Sequence, residues 1–324
     1  MEAINPLVDK IKANVSYDEL IPELIDMLKF ILKNNTRENR EEIVRPIKKI
    51  GSYIKKECPT AFPIFNILSR VISLISKNID QGSSTENLQN KKLMKLLNKD
   101  RTDITEGVDT NIIEVINDLN ELEHAVEYLI AFAKVHVNEG ETILVFSQSK
   151  LIEQFISSCF EDKNIFLIIV ENEFSDRKKI KEKAERVLYV TQNSVFSLMP
   201  KINKIFMDCH SLMADGAIIG EAGAFNIALI AKEFAVPLYI LSPIYKFTPL
   251  YAFAQDTFNE RVKPQTIFNE AEGVENLDIV VERYNLVPSE YAVMIVTENG
   301  EYSTDYIYRV FSEYYADSDY GYQF

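Results

Sequence analysis

Cysteine, glycine and histidine are scarce in this chain, and long apolar runs are missing. Of 324 residues only three are cysteine: Cys58, Cys159 and Cys209. An odd, widely spaced trio excludes a disulfide framework and a cysteine-rich zinc site, and it fits a reducing cytoplasm. The longest unbroken apolar run is Ile165–Val170, far short of the ~20 residues a membrane-spanning helix needs. The opening MEAINPLVDKIK has no basic segment leading into an apolar one, so no secretory signal is expected. Basic residues are outnumbered, 35 Lys+Arg against 49 Asp+Glu, for a formal net charge of −14. That balance argues against nucleic acid as the main partner, because phosphate binding needs concentrated Lys and Arg. G-x-x-x-x-G-K-[ST], H-E-x-x-H, C-x-x-C and G-x-S-x-G are all absent. The P-loop, the zinc-protease helix, the dithiol pair and the hydrolase elbow go with them. No metal and no cofactor is expected.

What is present changes character near residue 140. Before it, apolar residues recur at helical spacing. Ser16 and Glu19 form a capping box, and Leu20, Leu24, Leu28 and Ile31 mark one face. Pro22 falls inside that start, which predicts a helix beginning a few residues later. Ile43, Ile47, Ile50 and Ile54 give a second helix, ending near 51–59. Phe65, Leu68, Ile72, Ile75 and Ile79 give a third, with Pro63 near its first turn. Polar stretches at 82–90 and 98–110 are loops. A long amphipathic helix then runs from Ile112 to Ala133, and Gly140 closes it.

Beyond Gly140 short apolar runs alternate with helical patterns. Strands are predicted at 143–146, 165–170, 187–190, 205–209 and 236–241, with a last one at 293–296. Helices are predicted near 151–156, over the charged 175–185, at 223–235, and at 306–315 as the closing helix. Continuous apolar strands alternating with helices argue a mostly parallel sheet covered on both faces. The chain therefore reads as α/β: a helical N-terminal domain over 1–138, then a Rossmann-like α/β domain over 139–324.

Three of the ten glycines, Gly216, Gly220 and Gly223, fall within eight residues after the fourth strand. Open α/β sheets bind ligands there. The spacing is not the dinucleotide fingerprint, and a tight strand-to-helix turn accounts for it equally. His124 and His136 lie on the long helix as surface or interface residues. His210 ends the fourth strand, where a neutral imidazole could act as a base or ligand, or be a polar residue at the sheet mouth. Ser147 ends the first strand without a neighbouring His or Lys to activate it.

The run INKIFMDCHSLMADGAIIGEAGAFNIALIAKEFAVPLYILSPIYKF, residues 202–247, resembles the alpha/beta/delta family of eukaryotic translation initiation factor 2B. That family is related to sugar-phosphate isomerases. SPIYKFTPLYAFAQDTFNERVKPQTIF and the terminal DYIYRVFSEYYADSD are most like its beta-type members, and the likeness covers residue 140 to the end. The resemblance implies a helical domain followed by a Rossmann-like domain. It also implies a non-catalytic regulatory role in guanine-nucleotide exchange on initiation factor 2, assembly with sibling subunits, a delta-type one first, and sensing of phosphorylated initiation factor 2. No membrane and no direct nucleic-acid contact are implied.

The isomerase relatives carry a cysteine and an aspartate where this chain has Ser147 and His210, with Asp215–Gly216 at their N-G pair. Their N-K-x-G-T corresponds to Gly220, Glu221, Ala222, Gly223 and Ala224. A carboxylate thus replaces the cation that would meet a phosphate. The crevice of Asp215, Gly216, Gly220, Glu221 and Gly223 therefore reads as vestigial. An isomerase, or the alpha-type member of the family, stands as the rival reading. Tyr306, Tyr308, Phe311, Tyr314 and Tyr315 form a candidate partner interface, with ordinary helix core as their alternative role.

Overall fold

A computed structural model describes residues 5–13, 17–34, 40–77, 110–146, 149–171, 186–252, 258–262 and 280–314. Five helices come first: α1 (Asn5–Lys12), α2 (Tyr17–Asn34), α3 (Arg40–Glu57), α4 (Phe62–Lys77) and α5 (Thr110–Val135). The loops expected at 82–90 and 98–110, the charged helix at 175–185 and Ser16 of the capping box lie outside the described residues, save Thr110, which opens α5.

In α2 the buried side chains are Leu20, Ile21, Leu24, Ile25, Leu28 and Leu32. The helix starts at Tyr17 and carries Pro22 inside it, rather than beginning after the proline. A proline within a helix costs ~3 kcal/mol. Each fully buried aliphatic side chain returns ~1.5–3 kcal/mol, so the apolar stripe outweighs the lost hydrogen bond. α3 runs through Gly51 and ends at Glu57, within the expected 51–59.

α4 is buried on most sides and is the centre of the helical layer. Its Asn66 amide donates to the Tyr245 carbonyl at 2.8 Å and to Thr248 Oγ1 at 3.2 Å, which ties that layer to the α/β layer. α5 spans both. Ile112, Val115, Leu119 and Ala125 pack among the helices. Leu129, Ile130 and Ala133 pack with the sheet and the helix that follows.

Seven strands make the main sheet: β1 (Thr142–Phe146), β2 (Phe166–Glu171), β3 (Val187–Thr191), β4 (Lys204–Asp208), β7 (Leu238–Leu241), β12 (Met294–Thr297) and β13 (Gly300–Tyr302). Their order is β13-β12-β7-β4-β1-β2-β3. Every neighbour pair is parallel except β12 with β13. Helix α6 (Lys150–Asp162) follows β1, and its N-cap Ser149 accepts from the Ile152 N–H. Helices α7 (Ala224–Glu233) and α8 (Ile307–Tyr314) cover the other face.

Two features differ from the sequence reading. The fourth strand does not run through a turn into α7. A hairpin intervenes, β5 (Ser211–Met213) and β6 (Ile218–Glu221), turned at Asp215–Gly216. It belongs to a second sheet of order β11-β6-β5-β8, completed by β8 (Phe247–Thr248) and β11 (Tyr284–Val287). A two-stranded pair, β9 (Arg261–Val262) with β10 (Val281–Glu282), stands apart. The strand at 294–297 is also not the last, because β13 returns along it as an antiparallel edge. The small sheet has a purpose in packing: its Met213, Ala217, Ile219 and Tyr284 enter the core of the helical layer.

Candidate functional site

The strand order reverses between β1 and β4. From β1 the chain winds outward through β2 and β3, and from β4 it winds the other way through β7 and β12. In open α/β sheets the crevice at the carboxyl ends of such strands is where ligands bind. Here that place is filled by ion pairs. Asp208 ends β4. The Lys246 ammonium donates to its two oxygens at 2.8 and 3.0 Å. Asp18, from the first turn of α2, lies 3.6 Å from the same ammonium. Asp18 also accepts from the Tyr245 hydroxyl at 2.9 Å and from the Leu151 N–H at 3.3 Å. Asp208 takes further hydrogen bonds from the Cys209 N–H at 2.7 Å and from the Ser149 hydroxyl.

All three charges are buried. Burial pushes the Asp208 carboxyl up to about 6, against the opposing pull of Lys246. Burial alone would lower the Lys246 ammonium, but Asp18 and Asp208 override it and hold it above the ordinary lysine value. Each group is thus occupied by its partners, and the cluster clamps α2 to β4 and to the loop after β7. Pattern reading missed it. The signal was a lone aspartate ending an apolar strand, IFMDC, and a lone lysine in the apolar SPIYKF.

The structure disperses the sequence-derived crevice. Ser147 lies outside the described residues. His210 is buried. Its Nε2 meets the Thr60 carbonyl at 2.8 Å, and its ring stacks on Tyr284 at 4.3 Å between centroids. Burial pushes the imidazole down to about 3, with the Thr60 hydrogen bond opposing, so it is neutral at physiological pH. Asp215 is exposed in the hairpin turn, where its Oδ1 accepts from the Ala217 N–H at 3.0 Å. Glu221 sits at the far end of β6, opposite Tyr284.

The glycines serve backbone geometry. Gly216 has φ +79° and a Cβ there would lie 2.9 Å from the Thr304 carbonyl oxygen. At Gly220 a Cβ would come within 2.6 Å of the Ala224 Cβ. Gly223, the residue before α7, has φ +101° and donates its N–H to Asn285 Oδ1 at 2.6 Å. All three cysteines are free and buried, and burial pushes Cys159 and Cys209 up to about 12, so neither is a nucleophile.

The tyrosine-rich ending divides. Phe311 is fully buried in the chain's own core, against Phe247 at 5.6 Å, and so is not a partner contact. It lies on the same face as Ile307 and Val310. Tyr314 is half-buried under the Arg70 guanidinium at 4.9 Å. Tyr306 and Tyr308 are 42% and 62% exposed, while Tyr315 lies outside the described residues. Among the described residues no group of side chains could hold a metal ion, and no helix is long and apolar enough to cross a membrane.

The model of the initiation factor 2 subunit family matches residues 19–304. The chain belongs to that family. It is 27% identical, over an alignment 334 positions long, to the translation initiation factor eIF2B subunit beta of Dictyostelium discoideum, covering 87% of this chain and 86% of that one. The family fold recurs in the tetrameric eIF2B-beta2-delta2 complex of C. thermophilum, with a TM-score of 0.69, 16% identity, and 96% and 94% of the two chains covered. A ribose 1,5-bisphosphate isomerase of Pyrococcus furiosus is 28% identical, over 55% of this chain and 58% of the enzyme. A helical layer followed by a mostly parallel α/β sheet is the architecture expected for this family.

Proposed function

We propose that this chain is a non-catalytic, beta-type regulatory subunit of the guanine-nucleotide exchange factor for translation initiation factor 2. In this reading residues 1–138 form the helical unit and 139–324 the α/β unit, and the protein works in the cytoplasm. Its first partner is a delta-type sibling, and the assembled factor acts on initiation factor 2 and senses its phosphorylated form. The observation that carries the reading is the likeness to an eIF2B subunit beta along nearly the whole of both chains. The relative in the solved beta2-delta2 complex supports the choice of partner. Tyr306 and Tyr308, both exposed, and Tyr315 are the tyrosines we assign to the interface. Gly216, Gly220 and Gly223 are assigned a structural role.

One observation favours the enzyme reading: the 28% identity to a ribose 1,5-bisphosphate isomerase. Against it stands the chemistry at the matching positions. Proton transfer needs a group whose pKa lies near the working pH and which reaches substrate. His210 is pushed far below that range and has its Nε2 on Thr60. The Asp208–Lys246–Asp18 cluster is internally paired. Incubation of the pure chain with ribose 1,5-bisphosphate tests the point, with no turnover as the expected outcome. Turnover lost in His210→Ala overturns the non-catalytic reading.

A further inference from the structure

A cavity of about 280 Å³ opens between the two layers, next to the ion cluster, with which it shares Tyr245. One wall is α4 and α5, and the other is the loops after β7 and β12 together with the end of α8. Its one guanidinium is already taken. Arg70 forks onto Asp118 with contacts of 2.8 and 2.5 Å, and its plane covers the Tyr314 ring. Two carboxylates remain on the lining, Glu121 at the exposed surface of α5 and Glu298 after β12. Among the described residues neither has an ion pair. The Glu298 carboxylate is fixed in place, accepting the Ile244 N–H at 3.0 and 3.2 Å. The rings of Tyr128, Tyr245 and Tyr314 also line it, together with the apolar Ile67, Leu122 and Ile244.

This composition selects a class of ligand. A phosphate would face the carboxylates of Glu121 and Glu298, and the one guanidinium is already paired with Asp118. A plain hydrocarbon would strand the polar groups unpaired. An ammonium meets a fixed carboxylate and aromatic faces, both of which attract it. We propose that this cavity binds a small primary-amine ligand, its ammonium against Glu298 and its carbon chain against the tyrosine rings. The inference is independent of the subunit reading above.

A pH dependence follows. Protein packed around Glu298 pushes its carboxyl up to about 7, with the Ile244 N–H and Arg70 opposing. The other charged groups on the lining are Asp118 on α5, paired to Arg70, and Glu121. The titratable tyrosines are Tyr128, Tyr245 and Tyr314. Glu298 is therefore the group that changes charge near neutrality, and the amine is protonated throughout that range. Binding strengthens as the pH rises through the Glu298 value.

Calorimetric titration of the full chain with putrescine tests this, with butane-1,4-diol and ribose 5-phosphate as controls. We expect saturable putrescine binding at slightly alkaline pH, several-fold weaker binding at slightly acidic pH, and none of the diol. Glu298→Gln should weaken binding by about tenfold or more, the scale of a lost charged contact. Tyr128→Ala should weaken it several-fold at an unchanged melting temperature, and it carries the test if Glu298→Gln does not fold. Equal binding by both variants, equal binding of the diol, tighter binding of the sugar phosphate, or no saturable binding to the folded wild-type chain overturns the proposal.

Discussion

His210 illustrates how a side chain's environment decides its role. A histidine at a sheet mouth is a reasonable base until its surroundings are known. Packed against Tyr284, Tyr17 and Phe62, it cannot be charged without losing its solvation. Its imidazole should stay neutral in NMR titration from alkaline pH down to about pH 5, well below the usual histidine value; a midpoint near 6.5 contradicts this burial. The linkage has a definite sign. The folded value, about 3, lies below the unfolded one, so this residue's contribution to stability is complete above the unfolded value and is lost as the pH falls toward 3. Lys246 is the opposite case, a charge kept because two acids surround it. Lys246→Met should cost about 3–5 kcal/mol in denaturant unfolding, because it leaves buried carboxylates unpaired. The loss should shrink on acidification, as protonation removes those charges. A cost under about 1 kcal/mol would mean that the cluster is solvated. Neither Asp208 nor Lys246 was legible as a pair, because 38 residues separate them and only the β4–β7 pairing brings them together.

Elements with a strong period were readable and those with special turn chemistry were not. The stripe of α2 and the apolar runs of β1, β2, β4 and β7 show directly in the sequence, since each buries one face or both. The β5–β6 hairpin was hidden by its glycines. Three close glycines suggested a strand-to-helix turn, yet Asp215–Gly216 is itself a hairpin signal between apolar triplets. Each glycine answers a different need: a turn, a close approach to α7, and the left-handed residue before that helix. Gly223→Val should destabilise the fold by about 1–3 kcal/mol, the range for strained backbone and overpacking. A Cβ there would overlap the Gln192 amide, but Gln192 is a movable side chain whereas φ +101° is not. Gln192→Ala in the same background should therefore recover only part of the loss. Full recovery would assign the whole effect to the overlap.

At the scale of the molecule, the two halves are held by specific contacts: Asn66 to Tyr245, Asp18 to Lys246, and the long α5 shared by both cores. The change from helical to strand spacing near residue 140 shows in the sequence, where α5 ends at Val135 and β1 begins at Thr142. The depth of the union does not, because Met213 and Ile219, which lie in strands, and Ala217, in the turn between them, are hydrophobic for the helices' sake. The same holds at the end of the chain. Pattern alone could not separate Phe311, a core residue, from Tyr308, which faces outward. Removal of 306–324 takes Ile307, Val310 and Phe311 out of the core and should unfold the subunit, so point changes are the better probe of pairing. Tyr308→Ala should weaken association with a delta-type sibling by more than about 1 kcal/mol if it is an interface anchor, with thermal melting of the isolated chain unchanged. The central claim, a regulatory subunit that works only in company, is tested most directly by co-expressing the chain with a delta-type sibling and measuring the native mass of what co-purifies. The account predicts a hetero-oligomer containing both chains. Recovery of this chain alone, with the sibling folded but absent from the complex, would contradict it.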